Sequence, residues 1–156
     1  MYARIGELVC RSADKDDYQQ IYDLLVDVVC TDSSRSIRDM QKNRLKLVIE
    51  HYAENLDCIV VTDNDVVVAA YLGKGNSVLH MVSNGGFASV ILLLHVVLEA
   101  LHDSNSPSVF KLIGEFSKSS YLERFCTEVK RDTYTLNKDA RMAVDKAFKA
   151  LGGTDE

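Results

Sequence analysis

Residues able to do chemistry are few in this 156-residue chain, and one short stretch holds the best placed of them. Val82-Ser83-Asn84-Gly85-Gly86-Phe87-Ala88-Ser89 joins an apolar, strand-like run to a strongly apolar helical one, Val90 to Leu101. Strand end, glycine turn and helix start together bring backbone N–H groups to face a phosphate, and the positive end of the helix dipole adds to the attraction. A second set lies on that helix: His95, Glu99 and His102, at steps of four and three, share one face. Zinc accepts those ligand types but wants three or four in a fixed tetrahedron, and no fourth ligand is suggested. The polar rim of a packed helix explains the three as well, so no metal is expected. Cys10, Cys30, Cys58 and Cys126 form no CxxC pair and have no histidine at metal-ligand spacing. They read as buried thiols of a reducing compartment. No GxSxG, Walker A or HExxH pattern occurs, and Gly85-Gly86 lacks the third spaced glycine of a dinucleotide fingerprint.

The remaining composition bounds the class. Hydrophobic residues are 47% and charged residues 26%, as in ordinary globular domains. One domain over 1–156 is expected, with enough length to bury a core. The net charge of −5 argues against non-specific nucleic-acid binding, which needs a cationic surface. Met1 to Leu8 has neither a basic start nor a long apolar run, so no signal peptide is expected. Val90 to Leu101 is too short for a membrane span and carries His95 and Glu99. A soluble, cytoplasmic protein is the expectation.

The elements that must position the glycine stretch follow from periodicity. Ile5 to Cys10 reads as a first strand, and Ser12 or Asp14 as a helix cap. Tyr18 to Cys30 is an amphipathic helix. A second helix runs from about Ser36 to Asn55, with Ile37, Met40, Leu45, Val48, Ile49 and Tyr52 as its apolar stripe. Arg35, Arg38, Lys42, Arg44 and Lys46 make its start basic, which is either a solvated face or a contact for an anionic ligand or partner. Cys58–Thr62 and Val66–Leu72 form a hairpin about Asp63-Asn64-Asp65, and Gly73 to Asn76 turns again into a third strand, Val78–Val82. A third helix, Ala88–Asp103, is packed on most of its surface. A strand over Val109–Ile113, a helix over Ser117–Val129, a strand over Thr133–Leu136 and a terminal helix over Ala140–Leu151, stopped by Gly152-Gly153, complete the chain. Strands joined partly by hairpins and partly by helices imply an α/β (α+β) fold, a mixed central sheet of about six strands flanked by helices on both faces.

This order resembles the GNAT acetyltransferase family. Val9-Cys10-Arg11-Ser12-Ala13-Asp14-Lys15-Asp16-Asp17-Tyr18-Gln19-Gln20-Ile21-Tyr22 is similar to the family's first strand and helix, where a strand ends in Arg and an Asp precedes the helix. The central hairpin is similar to its second and third strands. The glycine stretch would be its acetyl-CoA motif: Gln or Arg, two residues, Gly, one residue, then Gly or Ala. Ser83, Gly86 and Ala88 fall at the three fixed positions, so the last two match and the first does not. Ser120-Tyr121-Leu122-Glu123-Arg124-Phe125 sits where members carry a Tyr-Glu-Arg-like core followed by Gly-Phe. Cys126 stands at that glycine, and Glu115 at the usual asparagine. The motifs are degenerate, somewhat as in the GNAT-like proteins of short-tailed phages.

The resemblance implies that acetyl-CoA binds along Val82, Ser83, Asn84, Gly85, Gly86, Phe87, Ala88 and Ser89, with amides from about Asn84 to Ser89 around a pyrophosphate. It implies a base on the strand before the motif, where His80 lies; the candidate acid is Tyr121, one residue before the usual tyrosine position, which Leu122 takes. A half-buried strand histidine and an amphipathic core tyrosine are the competing readings of those two residues. Glu115 is either a carboxylate near the substrate or a strand-end surface acid. Two functions follow. One is acetyl-CoA-dependent N-acetyl transfer to a small-molecule or protein amine. The other is a catalytically inactive, GNAT-like interaction or structural protein with a protein partner, for example a phage protein in the virion or host cytoplasm. A homodimer paired through an edge strand near the C-terminus is compatible with either.

Overall fold

The computed structural model describes residues 2–74, 77–100, 109–111, 125–130, 133–136 and 139–156. Its elements are β1 (Ala3–Ile5), β2 (Leu8–Ser12), α1 (Tyr18–Val29), α2 (Arg35–Glu54), β3 (Cys58–Asp63), β4 (Val66–Lys74), β5 (Ser77–Ser83), α3 (Gly86–Ala100), β6 (Val109–Lys111), β7 (Cys126–Lys130), β8 (Thr133–Leu136), α4 (Ala140–Ala150) and β9 (Thr154–Asp155). The described strands form one sheet in the order β7-β8-β6-β5-β4-β3-β2-β1-β9. All neighbours are antiparallel except β5 and β6, which meet in parallel through Ser77 and Val109. A mixed sheet with helices on both faces is therefore what the chain builds, with nine described strands rather than about six.

Strand alternation sorts the core into two halves. On one face Val61, Ala69, Tyr71 and Met81 pack under α3 and α4. On the other Val60, Val67, Ala70, Leu72 and Val82 pack under Ile21 and Leu25 of α1 and Leu45, Ile49 and Ala53 of α2. Every residue of α3 from Ser89 to Leu98 is buried, because sheet and α4 enclose it from different sides. No helix among the described residues is long and apolar enough to cross a membrane.

Several expectations change. The first strand is a hairpin: Gly6, at φ 57°, turns the chain between the paired residues Ile5 and Leu8. Two-residue hairpin loops favour glycine where φ is positive, and that local signal outweighs the apolar run. Cys126–Val129, expected to end a helix, is strand, since pairing with β8 overrides a modest helical pattern. Phe125, just before the strand, is a buried turn residue, and positions 117–124 of that expected helix lie outside the described residues. Gly73 lies inside β4 rather than in a turn. In α2 the expected stripe holds only from Leu45 onward; Ile37 and Met40 are 47% and 70% exposed. The two-residue strand β9 pairs with β1. It is too short for a period to register.

The passage from β2 into α1 shows why the Arg-turn-Asp pattern folds as it does. Arg11 donates to both carboxylate oxygens of Asp17, at 2.7 and 2.8 Å. Asp17 also accepts the Asp14 amide at 2.8 Å, while the Asp14 carboxylate accepts the Asp16 amide. Asp14 is thus the cap, in a capping box with Asp17, at the head of a short 3-10 turn over Lys15–Asp17.

Candidate functional site

β5 delivers the glycine stretch to the start of α3 through a hydrogen-bonded staple. The Gly85 amide donates to Ser83 Oγ at 2.9 Å, Ser83 Oγ lies 2.8 Å from Ser89 Oγ, and Ser89 Oγ donates to the Gly86 carbonyl at 2.8 Å. A hydroxyl has one proton. With the Ser89 proton on Gly86, Ser83 must donate to Ser89, so the protons run one way around the turn. Ser83 and Ser89 are both buried. Gly86 has φ 81°, a conformation glycine takes readily. At Gly85 a β-carbon would stand 2.8 Å from Ser89 Oγ and 3.0 Å from Val68 Cγ2, so close packing excludes a side chain.

This staple assigns the eight residues different parts. Val82 turns its side chain into the α1–α2 core. Ser83 and Ser89 are internal fastenings, which is the work serine does at the position where the resemblance calls for Gln or Arg. The Asn84 amide continues the sheet by donating to the Val68 carbonyl at 2.9 Å. Phe87 and Ala88 lean on the α3-side core. Asn84, Gly85 and Gly86 form the exposed rim. Since the amides of Asn84 and Gly85 are engaged, an anion at this turn would rely on amides from Gly86 onward, at the positive end of a fifteen-residue helix.

His80 lies three residues before the turn, opposite Leu72 and hence on the α1–α2 face. Beside it the ladder is irregular. Leu72 faces His80 and Gly73 faces Val78, so Leu79 is an extra residue with no partner in the register. A bulge breaks strict alternation. Leu79 and His80, although consecutive, line the same cavity, and Val78 packs toward α3. That cavity, about 250 Å³, is completed by Val29 of α1 and by Gln41, Arg44, Leu45 and Val48 of α2. Gln41 Oε1 accepts the Asp32 amide at 3.3 Å, which leaves its amide NH₂ as a donor. The basic start of α2 thus divides by role: Lys46 sits 5.1 Å over the Tyr22 ring, while Arg44 lines the cavity. Gln41 carried no signal beyond its place on a helix. The bulge was signalled by a glycine in a β-branched run.

Tyr121, Glu115 and His102 lie outside the described residues. His95 and Glu99 turn away from the glycine stretch into the seam between α3 and α4. The His95 ring stacks on Phe148 with centroids 3.8 Å apart; its Nδ1 is 2.8 Å from Asp145 and its Nε2 2.7 Å from Asp155. Glu99 accepts from Arg141 at 2.7 Å. No group of three metal-ligating side chains occurs among the described residues. None of the four cysteines is in a disulfide. Burial pushes the Cys10 and Cys58 thiols up to about 12, the nearby Asp17 carboxylate adding to the effect at Cys58.

No family model matches the chain, and no curated protein matches it. Among solved structures it is similar to the GCN5-related N-acetyltransferase from Kribbella flavida, with a TM-score of 0.45 and 16% identity. The likeness covers 70% of this chain and 31% of that one, so the chain spans less than a third of that protein's length.

Proposed function

We propose that the chain is a GNAT-like acyltransferase that binds acetyl-CoA at the β5–α3 turn and acetylates an amine. The observation that carries this reading is the turn itself. β5 is antiparallel to β4 and parallel to β6, so the sheet changes its pairing direction at this strand, whose carboxyl end feeds straight into the buried helix α3. There the chain sets two glycines, one in a positive-φ conformation and one too closely packed to carry a side chain, before a buried helix. This fits a pyrophosphate, which needs close backbone approach and the positive helix end.

Acetyl-CoA, when bound, would supply an activated thioester from which the acetyl group passes to the amine nitrogen as the thiol departs. His80 accepts the proton that the ammonium must lose before nitrogen can attack. The apolar walls from Val29, Leu45, Val48 and Leu79 exclude water from the amine. Tyr121 is the acid that returns a proton to the leaving thiolate.

Ser83 favours a second reading, a protein of the same fold that has lost catalysis and serves a protein partner, as a phage interaction protein would. Its hydroxyl is engaged within the turn and offers no reach toward a ligand.

Calorimetric titration of the full chain with acetyl-CoA tests the proposal. Saturable heat is expected, about tenfold weaker in Asn84→Glu and Gly86→Glu, which place a negative charge at the rim. Gly86→Ala carries the same backbone strain without the charge, and no atom lies within 4 Å of its new β-carbon. It separates the two effects. No heat and no thermal shift at about 1 mM acetyl-CoA would overturn the cofactor assignment. Binding without acetyl transfer to any amine would leave the second reading.

A further inference from the structure

We infer that the cavity between α1, α2 and β5 is the acceptor pocket, and that it takes a small amine carrying a carboxylate and an aliphatic side chain, a branched α-amino acid being the simplest case. The inference rests on the acyltransferase reading for the fate of the amine, not for its binding.

Size is the first argument. At about 250 Å³ the cavity falls below the roughly 300–1,000 Å³ of drug-sized sites, so its occupant is amino-acid-sized. Chemistry is the second. Val29, Leu45, Val48 and Leu79 make an apolar floor suited to a branched aliphatic group. Among the described lining residues Arg44 is the one with a permanent charge, and none is acidic. Arg44 makes no ion pair among them. Its fork matches a carboxylate in two parallel bonds, and the Gln41 NH₂ adds a third donor. A polyamine would meet like charge at Arg44; an amino acid answers that charge and keeps its amine for His80. The third argument is the bulge, which turns Leu79 and His80 together into this space and so sets a basic group beside an apolar wall.

The test is an NMR titration of the ¹⁵N-labelled full chain, without acetyl-CoA, using L-leucine and L-leucinamide as probes. L-leucine is expected to shift amides of α2 from Gln41 to Val48 and of β5 at Leu79 and His80, saturably. L-leucinamide keeps the amine and the side chain but not the carboxylate, and should bind about fivefold more weakly or worse. The same loss is expected for L-leucine on Arg44→Gln, a change at an exposed residue that leaves the core intact. No saturable shift by L-leucine, shifts elsewhere, or equal binding of the two probes would overturn the inference. Acetyl-CoA calorimetry separates the two readings: heat from acetyl-CoA without a leucine site removes this inference alone, and a leucine site without that heat removes the transferase alone.

Discussion

Ser89→Ala should destabilise the fold more than Ser83→Ala, although the two hydroxyls touch each other and each substitution deletes one oxygen. The reason is the direction of the proton chain. Ser89 both accepts from Ser83 and donates to the Gly86 carbonyl, so its loss strands two groups. Gly86 is exposed and its carbonyl can turn to water, but Ser83 is only 5% exposed. Leaving that buried donor unmet costs about 1–3 kcal/mol, near 2 as a central value. A chain of this size loses about 2–4 °C of melting temperature per kcal/mol, so Ser89→Ala should melt about 4–8 °C lower. Ser83→Ala strands the Gly85 amide, which is exposed and finds water, while the Ser89 bond to Gly86 survives. Its cost should be about 1 kcal/mol. Removing both oxygens leaves no buried orphan donor, so the double variant should cost about 2 kcal/mol rather than the sum of 3. The measurement is a double-mutant cycle by urea unfolding at constant m-value, with melting temperatures alongside. Additivity within about 0.5 kcal/mol, or a larger cost for Ser83→Ala, would refute the one-way staple.

Two further outcomes follow from buried groups away from the turn. Burial pushes the Asp17 carboxyl up, but the Arg11 fork and the Asp14 amide outweigh it and hold the group below the usual carboxylate range. Because the folded value lies below the unfolded one, its stabilisation is complete above about pH 5 and drains away as pH falls below about 3.9 and through the folded value. Asp17→Asn should cost about 2–4 kcal/mol at neutral pH and flatten the acid limb of a stability-versus-pH curve; an unchanged limb would count against the pair. For the cysteines, Ellman's reagent at about pH 8 should leave Cys10 and Cys58 of the folded chain unmodified and reach them only on unfolding, while half-buried Cys126 reacts first. Labelling of Cys10 or Cys58 in the native state would show that the sheet core opens.

What the sequence made legible follows the strength of its local signals. The helices over Tyr18–Val29 and Arg35–Glu54 were readable because a 3.6-residue apolar period persists over several turns. The β3–β4 hairpin was readable from two β-branched runs about Asn64 and Asp65, both of which take positive φ. The glycine stretch was readable as strand, turn and helix start. The inward hydroxyls were not, since nothing in Ser83 or Ser89 says which way they face. The cavity was still less legible. It depends on a bulge that places Leu79 and His80 side by side and on α2 and β5 lining one cavity, residues far apart in sequence. Arg44 stood out only as one of five basic residues, and its register on the helix made it the cavity's. His95 read as part of a packed helix's polar rim beside Glu99; that it is buried could not be seen, since its partners, Asp145 and Asp155, are 50 and 60 residues away.

The two halves of the proposed site lie on opposite faces of the sheet, and this constrains what can use both. α3 covers one face, so the amides of its first turn open from that side; His80 and its cavity belong to the other. Neither a phosphate nor a compact nucleotide at the helix start could reach the cavity. A ligand that uses both must be long and thin, and must pass the edge of β5 on the side away from β4. On the acyltransferase reading proposed above, a pantetheine arm would have to span that distance, from a pyrophosphate at the helix start to an amine in the cavity. The seam on the far side of α3 serves a different end. His95 ties α4 and β9 to α3 through its contacts with Asp145 and Asp155, and so steadies the helix whose first turn would hold the anion.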